Sequence, residues 1–325
     1  MMSSKKIVLY NPAISSLNMG DHIIFDSVYR QLEELLNGAF LVEISTHLPV
    51  SRYLRHTKDF DYKFVCGSNL LRGKMNSLFR QWDINIFTAK NVGPCVLVGV
   101  GWWQYGDDPN FYTKKLYKRV LSPDLYHSVR DSYTEMQLKK MGFDNVINTA
   151  CPTMWSLTKE HCLEIPKFKS KDVVCTITDY NRDYSRDKKM LDILCDNYQN
   201  VYLWLQGVWD YKYFKDLNYK KNDKIKLVPP NLKSYDSILE KNVDYVGTRL
   251  HAGIRALQKK KRTIIIAIDN RAIEKQKDFN LKCISRNDIE NLPELINSSF
   301  STEIRIPIDK IKKWKSQFLD LMQSK

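Results

Sequence analysis

Short apolar runs, few of them alternating with polar residues, recur along the chain between stretches of helical spacing. Lys6 to Tyr10, Phe40 to Ile44, Lys63 to Cys66, Cys95 to Val100, Tyr126 to Arg130 and Val146 to Asn148 form a first series of predicted strands. A second comprises Val173 to Thr178, Val201 to Leu205, Ile225 to Leu227, Tyr245 to Val246 and Thr263 to Ile268. Runs without a period of two suit strands buried on both faces, as in a parallel sheet covered by helices. The pattern therefore predicts an α/β protein in two halves. Pro152 and Pro166 bracket a weakly periodic stretch where the series restarts, which places the boundary at 1–155 and 156–325. Helices are expected from about Asp21 to Leu36, from Ser132 to Gly142, from Ser234 to Lys241 and from Ala252 onward. The last, Asp309 to Met322, carries Ile311, Trp314, Phe318 and Leu321 at helical spacing; it is counted with the second half as a closing helix, of the kind that often packs back across the junction. Its polar face mixes both charge signs, which fits a packed closing helix better than a membrane anchor.

A length of 325 residues supports two cores. The strongest apolar run, Thr263 to Ile268, is far below the roughly 20 residues of a membrane span. Met1 to Lys6 leads straight into the first strand and does not read as a signal peptide, so a cytoplasmic protein is expected. The seven cysteines have no C-x-x-C spacing, which suggests buried thiols rather than a zinc knuckle or disulfides. A formal charge of +14 favours anionic partners, and permits contact with an acidic membrane. No zinc finger, RNA-recognition signature or basic-region helix is present, so nucleic acid is not an expected partner. The cluster Lys259 to Arg262 reads as a solvated turn.

Candidate chemistry is sought where strands hand over to helices, because open α/β sheets bind ligands beyond the carboxyl ends of their strands. After the first strand, Asn18, Gly20 and Asp21 precede a helix; either polar side chain can cap it, or the group can rim a substrate site. Neither G-x-G-x-x-G nor G-x-x-x-x-G-K-[ST] occurs, against a standard dinucleotide or P-loop site. Gly67, Ser68, Asn69 and Gly101 follow two other strands and permit close backbone approach, although ordinary turns use the same residues. Arg130 stands at a strand tip before a helix for which Ser132 and Glu135 have capping-box spacing. It can receive a carboxylate or phosphate, or pair with Asp131. In Val243-Asp-Tyr-Val-Gly-Thr-Arg-Leu-His251 a strand runs into another helix; if the turn is extended, Arg249 and His251 share one side and Leu250 faces the core. The helix dipole disfavours the His251 imidazolium, and a bound dianion favours it.

Asn18-Met-Gly-Asp21, Ser128-Val-Arg-Asp131 and above all Asp244-Tyr-Val-Gly-Thr-Arg-Leu-His251 resemble, in order and spacing, the polysaccharide pyruvyl transferase family. The resemblance implies two Rossmann-like domains with parallel sheets facing across a cleft, similar to GT-B glycosyltransferases. It implies the first domain as the acceptor side and the second as the donor side. Phosphoenolpyruvate is the implied donor, a sugar of a surface polysaccharide or its lipid-linked oligosaccharide precursor the acceptor, and no metal or other cofactor is implied. By position, Arg130 and Arg249 would hold the donor and His251 would act in catalysis. The sequence departs from the family's commoner pattern at Cys151-Pro152, at Lys261-Arg262-Thr263 and at Asp269-Asn270-Arg271.

The chemistry matches the residue types. Two arginines can clamp carboxylate and phosphate, and an imidazole can give or take a proton. No histidine has a recognisable metal-ligand spacing. Two other readings stay open: a GT-B-type glycosyltransferase using a nucleotide sugar, and a non-catalytic binder of anionic glycans or nucleic acid.

Overall fold

The apolar runs become parallel strands in the computed structural model, which describes residues 5–106 and 108–319. The chain divides into two units: residues 1–16, 24–155 and 306–325, and residues 17–23 with 156–305. This differs from the expected 1–155 and 156–325 at two places, each with a packing cause. Residues 17–23 join the second unit because Met19 N–H donates to the Gln206 carbonyl (2.9 Å) and Val208 N–H to that of Leu17 (3.0 Å). The tail joins the first unit because Trp314 and Phe318 are fully buried there. Trp314 Nε1 donates to the Tyr126 carbonyl (2.8 Å), and Phe318 meets Tyr62 and Phe64 edge-on. The tail's helix spans Ile308–Ser316, and Leu321 of the expected helix lies outside the described residues.

In the first unit, β1 (Lys6–Asn11), β2 (Phe40–Ser45), β3 (Tyr62–Cys66) and β4 (Val96–Val98) form a sheet of order β2-β1-β3-β4. The strands β5 (His127–Val129) and β6 (Val146–Asn148) pair with each other. Gly99 N–H donates to the Ser128 carbonyl (2.9 Å) and Val100 bridges Val129, so this pair continues the sheet beyond β4. The order reverses between β1 and β3, the switch point at which such sheets take ligands.

The second unit carries β7 (Asp172–Thr176), β8 (Asn200–Trp204), β9 (Ile225–Val228), β10 (Val243–Gly247), β11 (Thr263–Ala267) and β12 (Cys283–Ser285). Their order is β12-β11-β10-β7-β8-β9, the doubly wound arrangement, with its switch point between β7 and β10. The strand β12 was not expected from the sequence; its Cys-Ile-Ser has one branched apolar residue and only Cys283 buried, so no apolar run marks it. All five residues of β10 are buried, the charged Asp244 included, whose carboxylate is paired with Arg262. Gly253 of the helix Leu250–Gln258 lets that helix lie against the sheet, since a Cβ there would meet Ile265 at 2.7 Å and Tyr245 at 2.9 Å.

All seven cysteines are buried and unbridged. Burial pushes up the thiols of Cys66, Cys95, Cys162, Cys175, Cys195 and Cys283, the last to about 12. Lys259 and Lys260 form an exposed turn as expected, but Arg262 does not belong to it. Arg262 is buried, donates to Asp244 Oδ2 (2.9 Å) and to the carbonyls of Leu295, Ile296 and Ser298, and stacks on Phe300.

Candidate functional site

Arg249 follows the last residues of β10 at the switch point of the second sheet. Its backbone is extended (φ −91°, ψ 103°), and the helix begins at the next residue. The expected alternation of Arg249 and His251 against Leu250 is therefore not realised: Leu250 and His251 are already helical, and all three side chains are buried. The Arg249 N–H donates to Thr176 Oγ1 (3.1 Å), and Tyr245 Oη donates to the Arg249 carbonyl (2.7 Å). Neighbouring strand ends thus fix its backbone.

The guanidinium is fixed as well. Nε donates to the Ile177 carbonyl (3.1 Å), and Nη2 to Asp179 Oδ1 (2.8 Å) and to Asp210. Asp210 is wholly buried and also accepts from Gly207 N–H (2.7 Å) and Asp179 N–H (3.1 Å). Burial raises its pKa, and the Arg249 charge opposes the rise. Above them lies the half-exposed Tyr180, with Arg249 Cζ 5.0 Å and Arg271 Cζ 5.6 Å from its ring centre. Arg271 donates to Tyr180 Oη and to Asp269, which caps the helix Asn270–Phe279. Arg286 reaches the same loop through the Asn181 carbonyl (2.8 Å). The carboxyl ends of β10, β11 and β12 therefore gather three arginines around Tyr180 and Asn181, which follow β7.

Asn18 and Gly20 stand beside this group. Asn18 Oδ1 accepts from Gly20 N–H (3.0 Å) and from Gln206 Nε2 (2.7 Å), so Asn18 caps the helix Met19–Leu36. Asp21 lies in the first turn, its N–H donating to the Asn18 carbonyl (3.1 Å). Gly207, which bridges Asn18 in antiparallel fashion, has no room for a Cβ because Arg249 Nη2 fills that space.

The other candidates belong to the first unit. Gly67 (φ +72°) and Ser68 (φ +65°) turn the chain sharply at the end of β3, a conformation that Gly67 adopts freely. Arg130, after β5, is buried and donates from Nη1 to Asn69 Oδ1, from Nη2 to the Trp102 carbonyl (3.0 Å) and from Nε to Asp131 Oδ2 (3.0 Å). A Cβ at Gly101 would overlap that guanidinium. Asn69, Gly101 and Arg130 thus come together, and Ser68 joins them through Gly101 N–H, which donates to its carbonyl (2.8 Å). The helix cap differs from expectation: Asp131, not Ser132, accepts from Thr134 N–H (2.8 Å). One carboxylate caps the helix and holds Arg130, so the capping-box spacing of Ser132 and Glu135 is not what starts it.

A model of the polysaccharide pyruvyl transferase family matches residues 18–270, well over half of the sequence. The chain belongs to the polysaccharide pyruvyl transferase family. Membership makes it an enzyme of a transferase family concerned with polysaccharide. No curated protein matched significantly. Among solved structures, a Methanocaldococcus jannaschii UDP-GlcNAc 2-epimerase complexed with UDP-GlcNAc and UDP is similar at TM-score 0.56 and 13% identity, covering 98% of this chain and 99% of the other. The S. aureus MnaA–UDP complex is similar at TM-score 0.53 and 10% identity, covering 99% and 98%. At these identities the likeness is one of fold: α/β with parallel, Rossmann-like sheets of the GT-B kind.

The departures of this pyruvyl transferase family member have structural roles. Cys151, where an aspartate is commoner, is buried and its Sγ accepts from Thr153 Oγ1 (3.1 Å); the proline after it packs against Gly99. Arg262 forms the buried pair with Asp244, and Asp269 with Arg271 completes the group on Tyr180. Sequence reasoning missed Asp179, Tyr180 and Asp210 as neighbours of Arg249, Gln206 as the partner of Asn18, and Arg271 as the second guanidinium on Tyr180. Asp179, Tyr180 and Gln206 follow the carboxyl ends of β7 and β8, so the strand-end rule applied to every strand would have found them. Among the described residues, no group of three or more His, Cys, Asp or Glu side chains is placed to hold a metal ion.

Proposed function

We propose that the protein transfers the pyruvyl group of phosphoenolpyruvate to two hydroxyls of a sugar in a surface polysaccharide or its lipid-linked precursor, forming a ketal. In this reaction the donor's methylene carbon gains a proton and two sugar oxygens bond to the adjacent carbon. The C–O bond to phosphate breaks, and the second hydroxyl proton leaves with phosphate. The donor itself is the only small molecule required besides the sugar. The reading places the work in the cytoplasm, on the membrane face where a lipid-linked acceptor is presented.

The observation that supports this most directly is the fixed Arg249 guanidinium at the switch point, followed within two residues by the His251 imidazole. An immobilised guanidinium offsets charge on the donor without reorganising during the reaction. His251 serves as the proton-transfer group. Arg130 is proposed as a second donor-holding guanidinium, with Asn69, Gly101 and Ser68 shaping its surroundings. Asn18, Gly20, Asp21, Gly67 and Leu250 are proposed to line the substrate region.

The test is incubation with phosphoenolpyruvate and a panel of lipid-linked and synthetic glycosides, followed by mass spectrometry and phosphate release. Wild type should give a pyruvylated product with stoichiometric phosphate. His251→Ala should lower the rate about 100-fold or more while circular dichroism stays unchanged. Turnover of a nucleotide sugar with no consumption of phosphoenolpyruvate would favour the glycosyltransferase reading and sink this one.

A further inference from the structure

The first unit exposes large apolar side chains on the two connections that run from β2 to β3 and from β3 to β4. Leu78 is fully exposed (104%) and Phe87 nearly so (84%), with Tyr53 at 70%, Phe79 at 57% and Leu48 at 49%. They come from two segments, 47–58 and 72–90, which the fold ties together. Asp83 N–H donates to the Thr46 carbonyl (3.0 Å), and His47 Nδ1 lies 2.9 Å from the Gln81 carbonyl. Beneath the exposed groups, Leu54, Met75, Trp82, Ile84 and Ala89 are buried in the unit's core, so the loops are anchored from below.

These two segments contain seven Lys or Arg, at 52, 55, 58, 72, 74, 80 and 90, against one acid, Asp83. Arg55, Lys58, Lys74 and Lys90 are exposed. Arg72 stacks on Trp103 (4.7 Å), whose other neighbour is Phe79 (5.3 Å). Beside them, Arg72, Lys74, Trp102, Trp103 and Tyr105 line a small polar hollow of about 160 Å³. The hollow follows β3 and β4, on the same side as Asn69 and Gly101.

Monomeric proteins rarely leave such a cluster uncovered. A glycan would use flat aromatic rings rimmed by amides and carboxylates, and gains little from a fully exposed leucine. Aliphatic and aromatic tips interleaved along the two segments with exposed cations instead match the two layers of an anionic bilayer surface: apolar groups enter the acyl boundary and lysines and arginines meet the headgroups. We infer that residues 47–58 and 72–90 form a docking surface for an anionic lipid bilayer. The surface is argued from its own residues and stands whatever the donor proves to be. It gives the proposed reaction a way to meet a lipid-linked acceptor.

The full-length protein is floated with vesicles of phosphatidylcholine alone and of phosphatidylcholine with an equal part of phosphatidylglycerol. Wild type should rise with the anionic vesicles only, and raising the salt should weaken the association. The double variant Leu78→Ser/Phe87→Ser should bind about tenfold less, and Lys74→Glu/Lys90→Glu should lose the preference for anionic lipid. Both substitute exposed positions, so melting temperatures should match wild type. Failure of wild type to float with anionic vesicles overturns the inference. So does equal binding by the Leu78/Phe87 variant, or a concentration-dependent dimer of wild type which that variant abolishes, since the cover would then be a second copy. Transfer to a short, lipid-free glycoside should be unchanged in both variants, which separates this surface from the proposed chemistry.

Discussion

Two arginines lie against glycines, and these contacts make separate, checkable demands. A methyl group at Gly101 would overlap the Arg130 guanidinium, and one at Gly207 would overlap Arg249 Nη2. Neither guanidinium can retreat without breaking hydrogen bonds to carboxylates and carbonyls. Gly101→Ala and Gly207→Ala should each cost about 1–3 kcal/mol in urea unfolding, the usual range for overpacking, and each should impair transfer. Gly106→Ala, with open space around it, should be neutral in both measurements. Equal stability of all three would show that the guanidiniums yield easily. At this scale the residue types at 130 and 249 were legible because each stands where a strand becomes a helix. Their partners were only partly so. Asp131 is adjacent in sequence to Arg130, whereas Asp179 and Asp210 are separated from Arg249 by 70 and 39 residues.

At the scale of elements, β5 carries a titratable group inside the first unit. His127 is wholly buried, its Nε2 lies 2.9 Å from the Ser122 carbonyl and its Nδ1 accepts from Leu97 N–H (3.3 Å). Those partners fit the neutral ring with hydrogen on Nε2, and burial lowers its pKa to about 4. Because the unfolded chain takes up this proton near pH 6.5, stability from the neutral ring is complete above that pH. It is lost progressively as pH falls towards 4. Urea unfolding of wild type should show about 2 kcal/mol of this loss between pH 7 and pH 5, and a His127→Gln variant should lack that increment. An identical pH slope in the two proteins would place the titration elsewhere. Helix and strand positions were readable wherever a run was long enough to show its period. The start of the helix Leu250–Gln258 was misjudged because Leu250 and His251 suit either an extended or a helical backbone, and the packing of Gly253 on β10 and β11 decides between them.

For the whole molecule, the proposed donor should act as a ligand of the native state. A saturating ligand at about a hundred times its dissociation constant adds about 2.7 kcal/mol. Phosphoenolpyruvate should therefore raise the melting temperature by several degrees, Arg249→Lys should shrink that rise, and nucleotide sugars should leave it unchanged. A rise with nucleotide sugars alone would reverse the ranking of the two transferase readings. The α/β class, the two strand series and the family were determined by the sequence itself, since burial on both faces writes an unbroken apolar run and a strand-to-helix handover writes its own short signature. Tertiary structure alone decided the strand orders, the placing of residues 17–23 in the second unit, the partners that Trp314 and Phe318 find in the first, and the carboxylates that hold Arg249. Those features depend on contacts between residues far apart in the chain, and a local pattern of side chains carries no record of which distant strand end it will meet.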